Sequence, residues 1–281
     1  MKSFKNLIKS SFNLLGLELA NQKAFKKLET EKAALKLAFN RLTYVITHSY
    51  GTKEQQSSLN LLNYCGDKLL ESKSQLLQEL FVLYILRDKR NGFFIEFGAA
   101  DGIDFSNTYL LEKDYGWKGI LAEPGKSWKQ QLRKNRNCII DNRCVWTKTG
   151  ESLTFYETDI AELSTIDGYA NDDLFAEQRK NKKAYIVDTI SLTDLLKFHN
   201  APVEIHFLSI DTEGSEYDIL KSFDFSEYNI QIITVEHNFS SNRDNIFNLL
   251  RSNHYRRVFE TISFFDDWYV KEDVWNEFIG K

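Results

Sequence analysis

Acidic side chains stand at the ends of apolar runs in this chain, and that placement can do chemistry. Phe93-Phe94-Ile95-Glu96-Phe97 leads into Gly98-Ala99-Ala100-Asp101-Gly102, and Ile120-Leu121-Ala122 leads into Glu123-Pro124. Ile205 to Ile210 leads into Asp211-Thr212-Glu213-Gly214-Ser215-Glu216, and Ile230 to Val235 leads into Glu236-His237. Short apolar runs of this kind are strands buried on both faces. Ligands of open α/β sheets bind outside the carboxyl ends of such strands. Small residues at 98, 99, 100 and 102 let a ligand approach the backbone closely. Glu96 and Asp101 would repel a pyrophosphate. They suit a ligand that carries an ammonium group, a sulfonium and ribose hydroxyls.

S-adenosylmethionine carries all three. Glu123 lies 27 positions after Glu96, at the end of the second strand, where one carboxylate can accept both ribose hydroxyls. Ser106-Asn107-Thr108 begins a helix. An ordinary cap accounts for these residues, and a helix N-terminus also receives a carboxylate such as that of methionine. Asp141 or Asn142, ending the third strand, can bond the adenine amine or simply close a turn. The expected cofactor contacts are therefore Glu96, Gly98, Ala99, Ala100, Asp101, Gly102, Asn107, Glu123, Asp141, Asn142 and Asp211. Glu213 and Glu216 also read as acids at a helix N-terminus. Asp211 does not, because it stands at the strand's tip. Asp211, Glu236 and His237 form the expected catalytic group if their strands are neighbours, with His237 a base candidate because its pKa is near neutral.

The elements that must position these residues can be read along the chain. Residues 3–19 have helical apolar spacing with lysines beside the stripe, which suits a membrane surface, a partner or the domain itself. Helical patterning continues over 22–48, Gly51 to Ser58 reads as a linker, and 59–88 as one or two helices. Asn91-Gly92 turns into the first strand. Ser106 to Asp114 and Ser127 to Arg136 read as helices, Asn137 to Asn142 as the third strand, and 144–157 as a hairpin around Gly150. Residues 158–184 form a long polar loop, a candidate lid or acceptor-recognition element. Ala184 to Ile190 resumes a strand before a helix capped at Ser191. Ser215 to Phe223 and Arg243 to Asn253 read as helices. Residues 254–259 and 264–270 form a last antiparallel strand pair, with Asp266-Asp267-Trp268 as a turn.

The bulk properties set limits. The 281 residues are 42% hydrophobic and 27% charged, an ordinary globular balance. Net charge is −4, which does not suggest a nucleic-acid partner. It divides as +6 for residues 1–50 and −10 for the rest. Three cysteines form no CxxC pair, which fits a reducing cytoplasm. No apolar run reaches the ~18 residues of a membrane span, and no secretory leader is expected. The predicted location is cytoplasmic, with peripheral contact at the inner face of a membrane. No Gly-x-Gly-x-x-Gly follows the first strand, which argues against the rival reading of a NAD-dependent sugar oxidoreductase. A third reading is a non-catalytic module that binds a membrane or partner.

In this order, Phe94 to Gly102, Ser106-Asn107-Thr108, Ala122-Glu123-Pro124, Asp211 to Glu216 and Val235-Glu236-His237 resemble the FkbM-type S-adenosylmethionine-dependent methyltransferases. The resemblance spans about residues 90–270. It implies an α/β fold: a Rossmann-like class I methyltransferase domain over 91–281, with a mainly parallel sheet and an antiparallel C-terminal strand. A helical appendage over 1–90 precedes it, for membrane, partner or dimer contact. The resemblance implies O-methyl transfer to a sugar hydroxyl of a glycan, or to a natural product. It matches Glu96, Gly98 and Gly102 to the cofactor loop, Glu123 to the ribose acid and Asp211 to the acid after strand four. Related natural-product enzymes place a divalent cation between strand-end carboxylates, so Mg²⁺ at Asp211 and Glu236, with His237 as base, is one expectation. The other is metal-free catalysis with His237 or Asp211 as base.

Overall fold

The computed structural model describes residue 26 and residues 53–159, 163–169 and 181–280. The helix expected over 3–19 lies outside the described residues, as does nearly all of the run over 22–48 and much of the loop over 158–184. The chain divides into two compact units, Met1–Asp67 and Lys68–Lys281. The first holds all but the last residue of helix α1 (Lys53–Lys68), in which Gln56 donates to Asn60 one turn on, at 3.1 Å.

The second unit starts ahead of the boundary expected at residue 90, because it includes α2 (Gln78–Ile85). Leu80, Phe81, Val82 and Leu83 of α2 are completely buried, so this helix is apolar all round and belongs in a core. Phe81 stacks on Trp268 with ring centroids 4.5 Å apart. The chain continues through β1 (Phe93–Phe97), α3 (Tyr109–Lys113), β2 (Lys118–Ala122), α4 (Lys129–Asn135) and β3 (Ile139–Asp141). Next come β4 (Cys144–Trp146), β5 (Ser152–Thr158), β6 (Thr165–Ile166), β7 (Lys182–Ser191) and α5 (Leu192–Phe198). Then follow β8 (Glu204–Ile210), α6 (Glu216–Lys221), β9 (Asn229–Glu236), α7 (Arg243–Ser252) and β10 (Tyr255–Val258). The last elements are α8 (Glu260–Ser263), β11 (Asp266–Lys271) and α9 (Glu272–Ile279).

The large sheet has seven strands in the order β10-β11-β9-β8-β1-β2-β3. From β9 to β3 its neighbours are parallel, and β11 and β10 add antiparallel pairings at one edge. This is the mixed α/β, Rossmann-like class that the sequence patterning predicts. Strand β1 pairs with β2 on one side and β8 on the other, so chain order reverses there and a crevice opens at the strands' carboxyl ends. Phe94, Ile95, Phe207 and Leu208 are completely buried between the layers, as a strand covered on both faces requires.

A second sheet, β4-β7-β5-β6, replaces the hairpin expected over 144–157. Strands β4 and β5 do not pair. The ten residues of β7 lie between them, parallel to β4 (Cys144↔Thr189) and antiparallel to β5 (Leu153↔Val187). A long later strand thus takes both edges that a local turn would have joined. Asp266-Asp267-Trp268 is likewise strand and not turn, with Asp266 opposite Glu236 in the β9–β11 ladder. The side chain of Trp268 is fully buried under Phe81, a position that a solvent-facing turn would not give it.

Candidate active site

A cavity of about 170 Å³ lies at the carboxyl ends of β1, β2, β8 and β9. The β1 turn contributes Phe97, Gly98 and Ala100 to its wall. Gly98 adopts a left-handed backbone (φ 76°), and a Cβ there would stand 2.0 Å from the Asp211 carbonyl oxygen. Only glycine lets the two loops meet this closely. The other residues of this turn serve the loop itself. Ala99 is buried away from the cavity lining, and Asp101 accepts from the amides of Ile103 (2.8 Å) and Asp104 (2.9 Å). Gly102 packs against Leu132 and Arg136.

Glu96 does not line the cavity. Its carboxylate accepts from Ser106 Oγ (3.0 Å), the Asn107 amide (2.6 Å) and the Thr108 hydroxyl, with Arg136 Nη1 at 3.6 Å. Arg136 is buried as well, and bonds Glu112 at 2.7 Å. Burial alone would raise the pKa of Glu112, but the Arg136 guanidinium holds it at about 2. The segment before α3 is therefore clamped by ion pairs, and the amides of Asn107, Thr108 and Leu110 are already taken. Glu79 receives the Leu110 amide at 3.0 Å. The Asn107 side chain donates to Ser209 Oγ at 2.9 Å, and its Oδ1 is buried without a partner.

Glu123 lies on the cavity wall. Its two oxygens accept from the Ala100 amide (3.1 Å) and the Gly125 amide (2.7 Å), which leaves further lone pairs for a ligand. Burial pushes its pKa up to about 7, against those two amides and with a small push from Glu157. Asp141 and Asn142 are placed elsewhere. Asp141 is held by Arg143 and by His199 Nε2 at 2.8 Å, and Asn142 donates to the Glu123 carbonyl at 3.3 Å. The cavity wall near that strand end is apolar instead, built from Cys144, Val145, Phe155 and Trp128. Burial pushes the Cys144 thiol up to about 12, so it serves as wall and not as nucleophile.

Asp211, Glu213 and Glu236 converge on the opposite wall, with one carboxylate oxygen of each within 4.8 Å of the others. Two carboxylates this close in a buried wall do not both ionise readily. Burial and the neighbouring acids, Asp266 among them, raise both pKa values well above the carboxylate range. The pair titrates as a unit. Glu216 instead ties the turn together, accepting from the Thr212 and Gly214 amides at 2.9 Å each. His237 is buried but does not line the cavity. Its Nδ1 accepts from the Phe239 amide at 3.0 Å, and its Nε2 faces Asp267 at 3.7 Å. Burial lowers its pKa, against the pull of Asp267.

Sequence reasoning did not find Gln75, Phe105, Trp128 or Phe265 on the cavity wall. An apolar residue beside a strand end carries no chemical signature. Arg136 was equally hidden, because it ends a basic helix that reads as a solvated face.

The site can be compared with known proteins at this point. The model of the methyltransferase FkbM domain matches residues 96–268, more than half of the chain. The chain belongs to the FkbM methyltransferase family. The match contains β1 from Glu96, both strand-end acids of β8 and β9, and the first half of β11. Membership makes this a methyltransferase domain and implies use of S-adenosylmethionine. Curated proteins gave no match. Among solved structures, a fibrillarin/Nop5p complex aligns with a TM-score of 0.35 and 11% identity, over 70% of this chain and 80% of that one. No helix among the described residues is long and apolar enough to cross a membrane.

Proposed function

We propose that this FkbM-family chain is an S-adenosylmethionine-dependent O-methyltransferase whose acceptor is a sugar hydroxyl in a glycan or glycoconjugate. The convergence of the Asp211 and Glu236 carboxylates on the cavity wall carries this reading. The residues present suit the cofactor. Glu123 offers open lone pairs to two ribose hydroxyls, and Val145, Phe155 and Trp128 make an apolar slot for a base. The cofactor supplies an activated sulfonium methyl. The protein's part is to exclude water, align the acceptor oxygen and remove its proton.

Crowding keeps the two acids from ionising together, and in the singly ionised form one carboxylate is free to take a proton. Its raised pKa makes it a stronger base than a solvated carboxylate. A sugar hydroxyl seated against it passes its proton to the pair as its oxygen takes the methyl. Holding the reacting atoms in line contributes several kcal/mol more. His237 then acts from behind, fixing the loop after β9 through the Phe239 amide.

A second reading rests on the same acids. Asp211, Glu213 and Glu236 are hard oxygen donors close enough to bind one divalent cation such as Mg²⁺. A cation there would orient the acceptor oxygen and lower its pKa. Transfer from labelled S-adenosylmethionine to glycan acceptors, measured with and without chelator, separates the two. Under the carboxylate-base reading, Asp211→Asn lowers turnover by about 10²–10⁴-fold, as loss of a general base does. It keeps cofactor affinity, and chelator has no effect. Loss in chelator with recovery on Mg²⁺ favours the cation. Full activity in both Asp211→Asn and Glu236→Gln contradicts the catalytic assignment.

A further inference from the structure

Three large apolar rings stand exposed beside the cavity: Phe105 at 52%, Phe239 at 52% and Phe264 at 63%. Phe105 lines the cavity itself. Phe239 meets Phe264 edge to face at 5.6 Å, and Phe264 meets Phe265, another cavity-lining residue, at 5.5 Å. The rings thus form a ledge continuous with the site. Their backbones are unusual. Phe105 (φ 63°), Phe239 (φ 57°) and Phe264 (φ 51°) are all left-handed, and so is Asn238 (φ 41°). Bulky residues rarely adopt this conformation, and such strain persists only where the surroundings enforce it. They do so here. The amides of His237 (2.9 Å) and Asn238 (3.3 Å) both donate to the Phe265 carbonyl, and the Phe239 amide donates to His237 Nδ1. The fold spends hydrogen bonds to hold apolar rings out in water.

The cavity wall limits what such a ledge can receive. It carries five carboxylates (Asp104, Glu123, Asp211, Glu213 and Glu236) and, among the described residues, no lysine, arginine or histidine. Against these described residues a phosphate, sulfate or uronate would find repulsion and no counter-charge. A purely apolar guest would leave the remaining lone pairs of Glu123 facing no donor. A ligand with one C–H face and an edge of hydroxyls satisfies both, since polarised C–H groups lie against an aromatic face while O–H groups reach carboxylates. We propose that Phe239 and Phe264 form the acceptor platform, on which a neutral pyranose ring stacks with its reacting hydroxyl toward Asp211 and Glu236. This rests on the sugar O-methyl transfer proposed above, and it adds the residues that choose the acceptor and the exclusion of anionic rings.

Saturation-transfer NMR on the full chain, saturated with S-adenosylhomocysteine, tests the platform. The probes are methyl glucopyranoside, methyl mannopyranoside and methyl galactopyranoside, with methyl glucuronide as the charged counterpart. At least one neutral pyranoside should bind through the protons of a single ring face, and the glucuronide should not. Phe239→Ala with Phe264→Ala should weaken that binding about tenfold, the scale of one lost aromatic contact, with calorimetric affinity for S-adenosylhomocysteine retained as a check on folding. Phe264→Trp, which keeps a ring, should preserve it. Equal binding by the double alanine variant overturns the platform. So does absence of pyranoside binding in a protein that binds S-adenosylhomocysteine, which leaves methyl transfer standing. Sedimentation with phosphatidylcholine vesicles that the double variant abolishes overturns it in favour of a membrane contact. A protein that binds no S-adenosylhomocysteine fails at the methyltransferase reading itself, and the platform falls with it.

Discussion

Glu123 is a carboxylate kept where water is scarce, and its stability cost follows from that. Its pKa rises from an ordinary 4.5 to about 7 in the folded chain. Below the ordinary value both folded and unfolded forms are protonated, and nothing is lost. Between there and about 7 the unfolded chain releases a proton that the folded chain keeps, so stability falls as pH rises, then levels off above 7. The full effect is roughly 3 kcal/mol as an upper bound. Urea denaturation of the cofactor-free protein at several pH values should show a decline to which Asp211, Glu236 and Asp266 add in the same direction, and Glu123→Gln should make it shallower. At the same scale, sequence shows which residues end strands but not where they point. Asp211 and Glu236 follow apolar runs and do line the cavity. His237 stands one position further on, and Asp267 and Phe239 decide its direction. Asp141 also ends its strand, but Arg143 and His199 claim it. Those partners are remote in the sequence or indistinct within it, so pattern reading had no access to them.

At the scale of elements, the segment between β1 and α3 depends on one buried cation. Arg136 serves Glu96 and Glu112 together and bonds Ser106 at 2.9 Å. Arg136→Met would leave the buried Glu96 without its counter-charge and Glu112 with Lys113 alone, and a loss of about 3–5 kcal/mol is expected in thermal or urea unfolding. The pH sign here is opposite to that of Glu123. The folded pKa of Glu112 is depressed, so its ion pair stabilises above the ordinary carboxylate value and fades as pH falls toward 2. The variant should lose that acid-side slope. Strands β1, β2, β8 and β9 were legible because apolar runs ending in acids are a local signal. The β4–β7–β5 arrangement was not, because it joins β7 to strands whose partners lie 24 (Thr158↔Lys182) to 45 (Cys144↔Thr189) positions earlier, and only tertiary pairing reveals it.

At the scale of the whole molecule, the working unit is larger than the family match. Residues 96–268 carry the family pattern, yet the compact unit starts at Lys68. Gln75 lines the cavity, and Gln78 donates to Asp266 at 2.6 Å beside the acid pair. A chain beginning at Lys68 should fold and unfold cooperatively. One beginning at Asn91 loses the buried face of α2 and uncovers Trp268, and it should be recovered insoluble or without a cooperative transition by circular dichroism. The central claim is that the cavity at the strand ends binds S-adenosylmethionine with Glu123 on the ribose. The direct test is calorimetric titration of S-adenosylhomocysteine into the wild type and Glu123→Ala. Micromolar binding that the variant weakens by about 1–3 kcal/mol, as expected for a lost charged hydrogen-bond partner, is the predicted result. Binding that is absent from the wild type, or equal in the variant, would contradict it.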